Sequence, residues 1–141
     1  MSGEFIDSSV FVYLFDETDD RRREAAERIV DSALQNHDAS ISFQVVQETL
    51  NVLTRTLPTP MTAEGAKNLL RQVLVPLWRV SPSQALFDRA LDLQTRYRYG
   101  FYDLLIIAAA LDAGCTLLYS EDLQDGQRIE GLTIRNPSLE L

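Results

Sequence analysis

Short apolar runs alternate along this chain with longer segments whose apolar residues recur every three or four positions. Phe5-Ile6-Asp7 reads as a first strand, followed by a helix capped by Ser8 or Ser9 and reaching about Phe15. The polar turn from Asp16 to Asp20 precedes a helix over Arg21 to Leu34. That helix has Ala25, Ala26, Ile29, Val30 and Ala33 on one face and the pairs Glu24/Arg28 and Arg23/Glu27 four apart. Ser40-Ile41-Ser42 is a short strand, and Ser42 caps a helix from Gln44 to about Thr56, which Pro58 and Pro60 end. Thr62 caps a helix over Ala63 to Leu74, and Leu77 to Val80 is a strand. Ser81-Pro82 enters a helix with Leu86, Ala90, Leu93 and Tyr97 on its core side. Gly100 precedes a helix from Tyr102 to Ala113, with Gly114 as its stop. Thr116 to Tyr119 and Leu132 to Ile134 complete the strands.

Strands and helices in alternation predict an α/β fold, a three-layer α/β/α sandwich with a central, mostly parallel sheet. In such sheets functional groups gather beyond the carboxyl ends of the strands, at a topological switch point. Four acids break the apolar pattern near such places. Asp7 and Asp122 follow strands, Asp103 opens the very apolar stretch Leu104 to Leu111, and Glu48 lies on the inward line of its helix, one turn beyond Gln44. A lone carboxylate on an apolar face is costly to bury. Brought together, four would repel one another and call for a cation, and hard oxygen donors favour Mg²⁺ or Mn²⁺.

Composition narrows the classes. A length of 141 residues with 45% hydrophobic content suits a single domain over residues 1–141 with a real core. No apolar run approaches the ~20 residues of a membrane span. The start Met1-Ser2-Gly3-Glu4 has no signal-peptide character, so the expectation is a soluble cytoplasmic protein. Cys115 is the sole cysteine, which removes an internal disulfide and a thiolate metal site and leaves a small buried residue. His37, in a polar turn, is the sole histidine and reads as a solvated loop residue, which leaves a Ser-His-Asp triad little to build on. A net charge of -8 argues against a protein that coats nucleic acid, but not against an enzyme that meets RNA locally. Lys67 is the only lysine among 13 basic residues; the rest are arginines, which suit bidentate phosphate contacts.

The same four positions carry a family resemblance. Phe5-Ile6-Asp7-Ser8-Ser9-Val10 resembles the opening of a PIN domain. Gln47-Glu48-Thr49-Leu50-Asn51-Val52 resembles its second acidic block, and Tyr102 to Ala110 its third. Leu118-Tyr119-Ser120-Glu121-Asp122-Leu123 resembles the fourth. The size of the chain is similar to that of single-domain VapC-type toxins of toxin–antitoxin modules. The resemblance implies a Mg²⁺- or Mn²⁺-dependent endoribonuclease, a small cognate antitoxin partner and a homodimer. On this resemblance Asp7, Asp103 and Asp122 hold the metal, and Glu48 either joins them or orients the attacking water. Ser9 and Ser120 orient the carboxylates. Hydrolysis leaves a 5′-phosphate and a 3′-hydroxyl.

Asp125 lies three residues beyond Asp122 and either shares or replaces its role, with Asp122 preferred as nearer the strand end. Glu121 is expected to point away, and Asp19-Asp20 reads as solvated turn. Arg96, Arg98 and Tyr99, interleaved just before Asp103, are candidate substrate contacts, Arg on phosphate and Tyr on an unpaired base. Their competing role is a core Tyr97 flanked by solvated arginines. Arg21-Arg22-Arg23 reads as a solvated helix start, Trp78 as core, and the long apolar run Val10 to Phe15 as part of a groove for a partner helix. A receiver- or phosphatase-like domain is a weaker alternative, because Lys67 sits in a middle helix. A catalytically silent PIN-like domain that only binds a partner is the stronger one.

Overall fold

The computed structural model describes residues 3–140. Met1 and Ser2, which begin the stretch read as lacking a signal peptide, lie outside the described residues. Six strands form one sheet: β1 (Gly3–Ile6), β2 (Ala39–Ser42), β3 (Trp78–Val80), β4 (Cys115–Tyr119), β5 (Arg128–Ile129) and β6 (Leu132–Arg135). Their spatial order is β3-β2-β1-β4-β6-β5. All neighbours pair in parallel except β5 with β6. The sheet is therefore mixed but mostly parallel, as the alternating pattern predicts.

Among the described residues, seven α-helices connect and flank it: α1 (Ser8–Tyr13), α2 (Asp20–Asn36), α3 (Phe43–Arg55), α4 (Ala63–Leu69), α5 (Val75–Leu77), α6 (Gln84–Gln94) and α7 (Phe101–Asp112). Every residue of β2 is buried, so both faces of the sheet are covered there. Helix α7 has seven consecutive buried residues, Leu104 to Ala110, so it has no polar face; it packs against α6, β2 and β4 as a central core element. Gly114, at φ +75°, takes the left-handed backbone that turns the chain from α7 into β4.

Several boundaries differ from the expected ones. Asp7 itself caps α1, not Ser8 or Ser9. Helix α1 ends at Tyr13, and tighter turns continue to Asp16. Asp19 is more than a solvated turn residue: its carboxylate caps α2 by accepting from the Arg22 N–H at 3.1 Å. The helix expected over Ala63 to Leu74 passes into a π-helical turn at Leu70–Leu74 before the short α5, which holds Pro76. Strand β5 and a final 3₁₀ turn, Pro137–Glu140, have no counterpart in the sequence pattern.

The arrangement that matters for chemistry is the junction of β1 and β4. After β1 the chain builds β2 and β3 to one side, then returns to place β4 and β6 on the other. The carboxyl ends of β1 and β4 therefore flank the switch point of the sheet.

Candidate active site

Parallel pairing sets Ile6 of β1 opposite Tyr119 of β4. The next residue on each strand is Asp7 and Ser120. Both are buried, and the Ser120 hydroxyl donates to Asp7 Oδ2 at 2.8 Å. The other Asp7 oxygen accepts the Ser8 backbone N–H at 2.7 Å, because Asp7 is the cap of α1. A carboxylate buried to 5% exposure is thus gripped on both oxygens. Burial still wins: it pushes the Asp7 pKa up to about 6, the two hydrogen bonds pull it back, and Glu48 and Asp122 raise it again by repulsion.

Glu48 projects from the middle of α3 and is half-buried. It accepts from the Ser8 hydroxyl at 3.4 Å and from the Gln44 side-chain amide at 3.4 Å. Its pKa is raised, first by burial and then by Asp103 and Asp122. Asp103 lies in the first turn of α7 without capping it, since Gly100 occupies the cap. Burial and then Asp122 raise its pKa. Asp122 is exposed; its own N–H donates to the Ser120 hydroxyl at 3.2 Å, which ties its loop to the oxygen that holds Asp7.

The four acids therefore share one electrostatic neighbourhood at the switch point, and each of the three shifted groups is shifted upward. None of the four forms an ion pair among the described residues; the arginines bind Asp19, Asp20, Glu27, Glu121, Asp112 and Glu130 instead. Hard, anionic, uncompensated oxygens are the donor chemistry that fits a divalent cation. The fit is in charge and donor type. The side chains do not form a ready-made cage, for no three of them converge to metal-binding distance among the described residues.

The remaining candidates separate clearly. Ser9 does not reach a carboxylate. Its hydroxyl accepts the Glu121 N–H at 3.4 Å, and Ser8 takes the role expected of it. The reason is helical geometry: Ser8 directly follows the capping Asp7, whereas Ser9 is turned a further ~100° round the helix. Asp125 accepts the Asn136 N–H at 2.7 Å and fixes the turn after β6, so it is committed elsewhere. Glu121 is held by Arg22 at 3.7 Å and by the Ser138 hydroxyl at 2.9 Å. Of the expected substrate contacts, Arg96 pairs with Glu130 at 3.1 Å and lies over the Tyr97 ring. The Tyr99 hydroxyl donates to Gln127 and accepts the Gln124 N–H at 3.2 Å, so it buttresses the loop between β4 and β5. Arg98 is exposed. Gln44 was not anticipated. Its amide donates both to Glu48 and, at 3.0 Å, to the Tyr102 carbonyl, joining α3 to the start of α7. Its position one turn before Glu48 is the signal that points to it.

No curated protein matches the chain. Solved structures resemble it closely in fold. A toxin–antitoxin complex from Klebsiella pneumoniae aligns with a TM-score of 0.68 at 17% identity, covering 96% of this chain and 98% of that one. Mycobacterium tuberculosis VapC20, a sarcin–ricin loop cleaving toxin, aligns with a TM-score of 0.58 at 22% identity, covering 82% and 87%. VapBC2 from Rickettsia felis, bound to a promoter DNA fragment, aligns with a TM-score of 0.67 at 16% identity, covering 94% and 97%. The PIN domain family model matches residues 5–128, a span that contains all four acids, and the chain belongs to the PIN domain family.

Proposed function

We propose that this PIN domain is a Mg²⁺- or Mn²⁺-dependent endoribonuclease, the toxin of a toxin–antitoxin pair. One observation carries the proposal: four mutually repelling carboxylates, without an ion-pair partner among the described residues, share the switch point of the sheet. The fold likeness to a ribonuclease toxin and to toxin–antitoxin complexes supports the same assignment.

Asp7, Asp103 and Asp122 would hold the cation, which supplies Lewis acidity at the scissile phosphate and lowers the pKa of bound water. Ser8 and Ser120 fix Asp7 in one orientation. Gln44 and Ser8 fix Glu48, whose carboxylate would accept a proton from water. The water oxygen bonds to phosphorus as the bond to the 3′-oxygen breaks. The 3′-oxygen takes a proton from solvent and leaves as a hydroxyl, Glu48 returns its proton to solvent, and the phosphate stays on the 5′ side. Arg98 is the freest of the candidate cations for contact with the RNA backbone.

The groove we assign to the antitoxin is lined by none of the four acids. Val12, Tyr13, Phe15, Leu57 and Pro58 line an open, largely apolar groove of about 370 Å³ between the end of α1 and the end of α3, with Asp16 and Glu17 at its edge. An amphipathic partner helix with basic flanking residues suits that lining. A non-catalytic, partner-binding PIN-like domain is the second reading, favoured by that apolar groove.

The test is cleavage of a mixed RNA pool by purified protein with Mg²⁺, Mn²⁺ or excess EDTA, beside Asp103→Asn. Metal-dependent cleavage that leaves 5′-phosphate ends and vanishes in the variant is expected. Identical behaviour of the two proteins over many RNAs and both metals would transfer the assignment to the partner-binding reading.

A further inference from the structure

A second concave feature opens beside the acids, past the carboxyl ends of β2 and β3. It is a cleft of about 250 Å³ between the start of α3, the start of α6 and the first turns of α7. Phe43, Phe87, Tyr102 and Leu105 are among its lining side chains, and Gln44 and Gln47 supply amides. None of its lining side chains is charged.

Three features say what it takes. Its rings are presented to solvent: Tyr102 is 70% and Phe87 42% exposed, large values for aromatic side chains not spent on the core. Its volume falls below the ~300 Å³ at which drug-sized sites begin, so it suits one flat ring system rather than the row of anchors of a docked helix. It is also wired to the acidic edge. Gln44 lines the cleft while donating to Glu48, and Tyr102, its neighbour across the cleft, is bonded to Asp103 in sequence. The Gln47 amide and Ser81 hydroxyl stand exposed in the lining with no hydrogen-bond partner among the described residues. A neutral lining is what a protein of net charge -8 needs where it must grip a nucleic acid by something other than phosphate.

We propose that this cleft is a nucleobase subsite. It takes one unpaired base adjacent to the scissile phosphate, stacked against Phe87 and Tyr102 and read at its edge by Gln47 and Ser81. The inference rests on the ribonuclease assignment and names where that activity gains sequence preference. Sequence-specific recognition of RNA generally works on unpaired bases stacked on aromatic rings.

The experiment uses an RNA the protein cuts and a set of copies each lacking the base at one position. kcat/KM is measured for the wild type and for Phe87→Leu, which keeps apolar volume but removes the ring. The wild type should lose roughly ten- to hundredfold at one position flanking the cut. Phe87→Leu should lose a similar factor on the intact RNA and be indifferent to the missing base. Gln47→Ala should alter which base is preferred there without changing the fold, checked by thermal denaturation. Uniform tolerance of missing bases, or discrimination that survives Phe87→Leu, overturns the subsite while leaving the nuclease intact. Absence of any metal-dependent cleavage by the wild type removes both. If Phe87→Leu changes the sedimentation of the protein and not its base discrimination, the cleft seats a second copy of the chain and the proposal fails.

Discussion

Asp7 and Asp122 leave neighbouring strands of one sheet, yet their surroundings are opposite. Asp7 is buried and held on both oxygens, by the Ser8 N–H and the Ser120 hydroxyl, and its pKa is pushed up to about 6. Asp122 is exposed; among the described residues its backbone N–H bonds the same Ser120 hydroxyl, and its carboxylate accepts no hydrogen bond. The contrast shows how this edge divides its work. The sheet holds one carboxylate buried in one orientation, and the loop after β4 leaves the other open to solvent. Glu48 and Asp103 lie between these extremes, half-buried and carried by helices.

The sharpest way to break this comparison is Asp7→Asn. Removing the fixed charge should lower kcat by roughly 10³-fold, consistent with several kcal/mol of charge stabilisation supplied at a metal site. The same change should stabilise the metal-free protein at pH 7. A carboxyl whose pKa rises from 3.8 to about 6 on folding binds a proton more tightly folded than unfolded. The stability from that proton is fully present below about pH 4 and is lost as pH rises through about 6, a difference on the order of 3 kcal/mol. Urea unfolding in EDTA should therefore show the wild type gaining stability from pH 7 to pH 5, with Asp7→Asn flatter. Glu48 and Asp103 shift in the same direction and will leave part of the slope.

Ser120→Ala should come next in size. It removes a hydroxyl donor from a buried, ionised carboxylate, at about 1.5–3 kcal/mol, and should raise the Asp7 pKa further. Urea midpoints at pH 7 and the acid limb of the cleavage profile measure the two effects. Asp122→Asn should be smallest in stability, within ~0.5 kcal/mol, because its carboxylate is exposed and unbonded. Its activity should still fall. A loss of several kcal/mol from Asp122→Asn, or none from Ser120→Ala, would erase the distinction between a fixed acid and a free one.

The sequence pattern carries the alternation of strands and helices and the mostly parallel sheet, because burial dictates them. A carboxylate after a strand or inside an apolar face stands out against its neighbours, as Asp7, Glu48 and Asp103 do. What stayed illegible has identifiable causes. Strand β5 is two residues long, too short to show a period; its only mark is the turn Glu130-Gly131, both at positive φ, as a tight hairpin requires. The choice of Ser8 over Ser9 depends on which hydroxyl the first helical turn directs at Glu48. Tyr99 and Arg96 looked ready for RNA because composition cannot reveal that Gln127 and Glu130, about 30 residues later in sequence, return to hold them. Gln44 was visible only as a spacing.

Mn²⁺ binding to the purified protein at pH 7, followed by titration calorimetry in the wild type and Asp7→Asn, tests the central claim most directly. Saturable binding that weakens as pH falls through about 6, and that disappears in Asp7→Asn, is the predicted result. No saturable binding in the wild type, or equal binding in Asp7→Asn, would contradict the assignment of this acidic edge as a metal centre.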